Sequence, residues 1–320
     1  MELYKMTWDE SVDDFLESWN HSINAPYHLT KRLIQEKIIE SRTTIPHLTF
    51  SYYSSEHYVA SIAIKSHWEQ ETDKLSAYIS VLYVDPLYRR LGIGRQLIEE
   101  VTTILIENNY TLLQLGGDDQ CLFSGLFEDE NFGSHLFFKA LGFIQESKNY
   151  NLLSLKPLEE TVSLPEGIRV EVAKNHQQHQ EAVFFVKEHF STRWTQEVVQ
   201  CEPKKLYLLF YDQTIIGFLV SGDEHSHVLP NSVNMYHQYV HLAGIGPLGL
   251  DPKNRALGLG TLFVKTVHND LYSKGFKKVM VDWTHLLHFY SQCGFTQIHS
   301  SYIQYVKSIG GYDGQQITNL

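Results

Sequence analysis

Two stretches of this sequence repeat one plan at a fixed offset, and that repetition sets most of what the chain can fold into. Residues 81–95 read VLYVDPLYRRLGIGR: an apolar strand, Asp85-Pro86, then Arg89-x-x-Gly92-x-Gly94. A helical pattern follows through Leu97, Ile98, Val101, Ile104 and Leu105. Ile245 to Leu250, Asp251-Pro252 and Arg255-x-x-Gly258-x-Gly260 repeat it, with Leu262, Phe263, Thr266, Val267 and Leu271 on the second helix. Arg89 to Arg255 and Gly92 to Gly258 are both separated by 166 residues. Downstream, Phe137-Phe138-Lys139-Ala140-Leu141-Gly142-Phe143 answers Phe289-Tyr290-Ser291-Gln292-Cys293-Gly294-Phe295. Two ordered copies of two linked motifs define an internal duplication. A length of 320 residues suits two domains of about 150 residues each.

The repeated stretch has the physics of an anion site. Proline cannot donate to a ladder, so Asp-Pro stops each strand. A glycine-rich turn before a helix leaves backbone N–H groups unpaired. Glycine lets an anion approach without a Cβ in the way, and the helix dipole adds positive potential. Arg89 and Arg255 can add charge-assisted contacts. A lone G-x-G turn also fits a plain strand-to-helix connection; the second copy and the linked Phe motif are what raise it above that.

Composition narrows the partners. The net charge is −11 and the pI near 5.8, unlike a general binder of nucleic-acid backbones, so no nucleic-acid partner is expected. Cys121, Cys201 and Cys293 form no CxxC pair, which fits a reducing compartment. The N-terminal MELYKMTWDESVDDF lacks an apolar signal core, and no apolar run reaches the roughly 18–20 residues of a membrane span. The expectation is a cytoplasmic protein without a membrane partner. His225, His227, His237 and His241 match no compact ligand spacing, so no metal is expected.

Along the chain, Thr7-Trp8-Asp9-Glu10 reads as a capping box opening a helix with Val12, Phe15, Leu16 and Trp19 on its apolar face. A second helix is predicted over Thr30 to Glu40, and a hairpin over Leu48 to Tyr53 and Tyr58 to Lys65. Tyr150 to Leu155 is predicted to close the first domain, and Lys156 to Gly167 to link it to the second. The domains are therefore placed at 1–157 and 158–320. Between Gly116 and Ser134 the first copy carries extra residues, read either as a substrate-side packed loop or as a surface insertion.

R-x-x-G-x-G after a strand, then a helix, a strand and F-[YF]-x-x-x-G-F, resembles the GNAT N-acetyltransferases. Two such halves resemble the bacterial two-domain acetyltransferases of the mycothiol-synthase type. The resemblance implies an α/β fold of two tandem GNAT-like domains, each a central mixed β-sheet flanked by helices. It implies acetyl-CoA as acyl donor and the primary amine of a small molecule or peptide as acceptor, with a homodimer among the assemblies open to it. Carried over residue by residue, the donor's pantetheine would pair with Leu82, Tyr83 and Val84, or with Leu248, Gly249 and Leu250. Its pyrophosphate would sit on Arg89, Arg90, Gly92, Ile93, Gly94 and Arg95, or on Arg255, Ala256, Leu257, Gly258, Leu259, Gly260 and Thr261.

The family's thiolate-protonating tyrosine falls on Tyr290, whereas the first copy has Phe138, which has no proton to donate. That asymmetry points to the C-terminal domain as the catalytic one, with the N-terminal domain degenerate, regulatory or structural. Some GNAT enzymes work without this tyrosine. Asp282 alternates with Met280 on the strand beside the opening and is the carboxylate placed with Tyr290. Two other functions share these features: a non-catalytic acyl-CoA sensor or assembly protein, and a transferase of aminoacyl or longer acyl groups.

Overall fold

A computed structural model describes residues 1–69, 74–128, 132–255 and 257–310. The first half runs β1 (Tyr4–Thr7), α1 (Trp8–Ser22), α2 (Lys31–Ile34), β2 (Phe50–Ser54), β3 (His57–Glu69), β4 (Lys74–Val84), α3 (Ile93–Glu107), β5 (Leu112–Leu115), β6 (Leu126–Phe127), α4 (Phe132–Ala140) and β7 (Ile144–Ser154). The second runs β8 (Ile168–Val172), α5 (His176–His189), α6 (Thr192–Gln200), β9 (Leu206–Tyr211), β10 (Thr214–Asp223), β11 (Leu242–Leu250), α7 (Leu259–Ser273), β12 (Lys278–Thr284), α8 (Leu287–Ser291) and β13 (Gln297–Ser308).

Local signals in the sequence explain many boundaries. The Thr7 side chain accepts from the Glu10 N–H while the Glu10 carboxylate accepts from the Thr7 N–H, so two helix-end donors are satisfied at once. Val12, Phe15 and Trp19 are buried along one face of α1. The hairpin turns at Ser55 and Glu56, both at positive φ. The predicted second helix is shorter in its α part. It passes at Gln35 into a π-helical turn ending at Ile39.

Two compact units emerge: residues 1–148 with the chain from Tyr302 onward, and residues 149–301. This division differs from a cut at 157/158. In the first unit the strand order is β1-β2-β3-β4-β5-β13. Its β4–β5 pair is parallel and the others are antiparallel. In the second unit the order is β7-β12-β11-β10-β9-β8, with β11–β12 parallel. The last strand of each sheet comes from the other half of the sequence. Ser154, Leu153 and Leu152 pair with Val279, Met280 and Val281, and Tyr305 to Ser308 pair with Leu115 to Leu112. Tyr150 to Leu155 reads as a strand, but nothing local in it says which sheet it joins.

Each unit packs helices on its sheet. In the first, Leu97, Ile98, Val101 and Leu105 of α3 meet Ile62, Ile64, Ala77 and Leu113. In the second, Phe263, Val264, Val267 and Leu271 of α7 meet Ala243, Ile245 and Val279. The segment from Gly116 to Glu128 is packed, with Cys121, Leu122 and Phe127 buried, and β6 pairs with β13. Its start is tied down by a fully buried ion pair, Lys65 Nζ to Asp118 Oδ2 at 2.7 Å. Lys65 also donates to the carbonyls of Asp119 and Gln120. No helix among the described residues is long and apolar enough to cross a membrane.

Candidate active site

The two strand-to-helix turns are built alike. The Asp85 carboxylate accepts from the Leu87 N–H and the Asp251 carboxylate from the Lys253 N–H, both at 2.9 Å, closing a short 3₁₀ turn. The motif arginine then folds back on the strand it follows. Arg89 Nε donates to the Val84 carbonyl at 2.9 Å and Arg255 Nε to the Leu250 carbonyl at 3.4 Å. Its remaining guanidinium N–H groups are thereby held at the turn. Gly92 and Gly258 begin α3 and α7 at φ +86° and +73°, with no side chain capping either helix. The first-turn N–H groups are thus left for an anion, at the positive end of the dipole.

The second glycine of each loop explains why the two motifs travel together. A Cβ on Gly94 would lie 3.3 Å from the Phe137 ring, and one on Gly260 would lie 3.5 Å from the Phe289 ring. The leading phenylalanine of the downstream motif packs against the loop in both copies. Gly142 and Gly294 end their helices at positive φ, as the motif's glycine requires.

The strand before each loop is bulged at the same place. Val81 pairs with Ala63 and Ile79 with Ile64, which leaves Ser80 as the extra residue. In the second unit Gly246 and Pro247 stand between the pairs Leu248–Leu219 and Ile245–Ser221. The parallel ladder to the next strand ends at Ile79–Leu115 and at Ile245–Val281, again 166 residues apart. Beyond those points the sheet opens. Leu82 to Val84 and Leu248 to Leu250 lie on the strand segments past the opening.

In the first unit the opening leads into a cavity of about 490 Å³. Leu82, Tyr83, Val84, Arg89, Arg90, Gly92, Ile93, Gly94 and Arg95 all line it. Trp19 of α1, Ile23 just past its end, Leu126 and Phe127 from β6, and Phe138 from α4 also line it. The Tyr83 hydroxyl is fixed by Ser18 and Ser22 of α1, donating to the Ser18 carbonyl at 2.9 Å. Ser80 Oγ donates to Asp118 Oδ2 at 2.9 Å, so the buried ion pair braces the bulge.

The second unit differs where side chains matter. Gly249 stands where the first copy has Tyr83, and the Phe190 ring lies against it, 2.6 Å from where a Cβ would be. Phe190, Trp194 and Phe218 form an aromatic cluster on that face. Arg255, Gly258, Leu259, Gly260 and Thr261 follow the first loop's geometry, Leu257 is exposed, and Ala256 lies outside the described residues. Tyr290 is buried edge-on against Phe289 and Phe295. Burial, then the charge of Asp282, push its phenol well above the usual tyrosine range. The Asp282 carboxylate reaches the bulge, 3.3 Å from where a Cβ on Gly246 would be. The fold thus brings Tyr290 and Asp282 into electrostatic reach. Phe138, the first copy's counterpart of Tyr290, is buried against Phe137 and Phe143 and carries no proton. No group of three or more His, Cys, Asp or Glu among the described residues is arranged to hold a metal ion.

Sequence reasoning reached only part of the cavity's apolar wall. The segment that holds Phe127 reads either as a substrate-side packed loop or as a surface insertion, whereas Trp19 reads only as a core residue of its helix, and the tertiary fold sets both beside the loop. The bulge at Ser80 left a trace, a polar residue within an apolar strand, but not one that marks a bulge by itself.

The acetyltransferase (GNAT) family model matches residues 4–143 and 172–295. This chain belongs to that family, in tandem form. No curated protein matches it. Among solved structures, it resembles the GCN5-related glucosamine N-acetyltransferase region of a fungal multi-domain GH3 β-N-acetylglucosaminidase. The two are 19% identical, with a TM-score of 0.82, over 96% of this chain and 38% of that one. The chain therefore spans well under half of that protein. A tandem GNAT protein from the clavulanic acid biosynthesis pathway is 14% identical over 98% of this chain and all of the other, with a TM-score of 0.64. A GCN5-related N-acetyltransferase from Sphaerobacter thermophilus is 15% identical over 82% and 80% of the two chains, at a TM-score of 0.59. At these identities the likeness concerns the fold.

Proposed function

We propose that this chain transfers an acetyl group from acetyl-CoA to the primary amine of a small molecule or peptide, with the donor seated in the first unit. Family membership gives the general class, an acyl-CoA-dependent acetyltransferase. The observation that carries the finer reading is the cavity at the first loop, in which the strand edge, both glycines and three arginines converge.

In this reading Arg89 and the first-turn N–H groups of α3 hold the pyrophosphate, and Leu82 to Val84 hold the pantetheine arm. That fixes the thioester at the opening beside the Ser80 bulge. The amine nitrogen attacks the carbonyl carbon, the C–S bond breaks, and the amine's proton leaves to solvent. With Phe138 in place of tyrosine, the thiolate departs without a phenolic acid. A thiolate is a good enough leaving group to depart unassisted and take its proton from solvent. The acceptor would enter along the apolar wall, and amino sugars, alkylamines and peptide N-termini are the acceptors to screen first. A cytoplasmic setting suits this chemistry.

A second reading places transfer in the second unit, and the approach of Tyr290 to Asp282 favours it. Calorimetric titration of acetyl-CoA into the wild type, Gly94→Asp and Gly260→Asp separates the two, with each variant's melting temperature as control. Loss of binding confined to Gly94→Asp is expected. Loss confined to Gly260→Asp would move the donor to the second unit, and no binding by the wild type would overturn both.

A further inference from the structure

The two loops differ in charge at matched positions. The first carries Arg89, Arg90 and Arg95, where the second carries Arg255, Ala256 and Thr261. The shared arginine is anchored to a strand carbonyl in both copies. With the helix N–H groups it serves whatever the two loops have in common. Arg90 and Arg95 belong to the first loop alone, and both line its cavity.

Neither is absorbed by local structure. Arg90 makes no ion pair among the described residues, and its Nη2 reaches to within 3.8 Å of where a Cβ on Gly133 would stand, at the start of α4. Its backbone sits at φ +64°, in the left-handed region, where a residue with a Cβ is strained. Glycine would be the unstrained choice there. Arg95 has an exposed partner, Glu99, at 3.6 Å one turn along the helix, a pair worth little in water. Two spare cations therefore flank the anion loop of a protein whose net charge is −11.

A pyrophosphate diester carries two charges, which the loop amides and Arg89 can meet. The further anion that a coenzyme A donor carries is the dianionic monoester on its ribose. We propose that Arg90 and Arg95 bind this 3′-phosphate, so that the first unit selects acyl-CoA over donors that lack it. The inference rests on the first unit being the donor site.

The test compares CoA with 3′-dephospho-CoA by calorimetry, for the wild type, Arg90→Gly, Arg95→Gln and the double variant. Charge-assisted contacts of this kind predict that the wild type prefers CoA by roughly tenfold or more. The double variant should lose most of that preference, weakening CoA at least about fivefold more than dephospho-CoA. Arg90→Gly should melt no lower than the wild type, since it relieves the left-handed strain. A wild type that binds both ligands equally would overturn the inference, as would a double variant that weakens both to the same degree. Gly94→Asp distinguishes the premise. If it leaves CoA binding intact, the donor reading itself fails. If it abolishes binding while the double variant keeps its preference, only the role of the two arginines fails.

Discussion

At the scale of single residues, Tyr290 and Phe138 carry the mechanistic question. Both are buried aromatic rings in the same motif, and only one has a proton. The Tyr290 phenol is held protonated by burial and by Asp282, so it is available as a donor wherever a thiolate reaches it. If transfer takes place in the first unit, where Phe138 leaves no phenolic acid, Tyr290→Phe should leave kcat within about twofold of the wild type, because a residue that takes no part in the transition state costs it no stabilisation. A drop of tenfold or more with CoA affinity unchanged would place the chemistry in the second unit. His268 gives a separate reading of the second core. It is fully buried, and its Nε2 lies 2.7 Å from Ser154 Oγ on β7. Burial lowers its pKa below 6.5. A base with a depressed folded pKa is neutral in the fold but binds a proton in the unfolded chain near pH 6.5. Its contribution to stability is therefore present above about pH 6.5 and lost as pH falls through the folded value. Chemical denaturation at a series of pH values should show stability falling on acidification in this window. His268→Gln should flatten that slope.

At the scale of elements, the sequence was legible wherever a signal is local. The capping box, both Asp-Pro stops, the glycine turns that open α3 and α7 and the helical faces all appear where the spacing of residues put them, because each depends on neighbours within a turn. The bulge and the meeting of Trp19 with Phe127 were not legible, and the segment after β5 was legible only as a choice between a packed loop and a surface insertion, because each depends on a partner distant in sequence. Lys65 and Asp118 show why: one lies in a strand, the other in a glycine-rich loop, and neither alone announces a buried pair. Removing one partner leaves a charge stranded in the core, which typically costs 3–5 kcal/mol. Asp118→Ala should therefore destabilise the protein by about that amount, measured by urea denaturation. Because Ser80 bonds to the same carboxylate, it should also weaken donor binding by loosening the bulge. The pair Lys65→Met with Asp118→Leu should recover much of the stability, since no unpaired charge remains. A single variant as stable as the wild type would show that the pair does not hold this loop.

At the scale of the whole molecule, duplication and strand exchange pull in opposite directions. The repeat at 166 residues makes each half look like a domain, yet each sheet is completed by a strand from the other half. The first unit's core includes Tyr302, Ile303 and Tyr305 of β13, which are 0%, 6% and 1% exposed. At about 1.5–3 kcal/mol for each large apolar side chain buried, these three contribute roughly 5–9 kcal/mol. That is comparable with the whole net stability of a typical domain, about 5–15 kcal/mol. A fragment of residues 1–157 would also expose the β5 edge, which invites aggregation. It should therefore be unfolded or aggregated alone, and become soluble and cooperative in unfolding when produced together with 158–320. Circular dichroism and size-exclusion chromatography of the two fragments, apart and together, would show this. A fragment 1–157 that folds by itself with a sharp transition would mean that β13 is an ornament of the first sheet rather than part of its core.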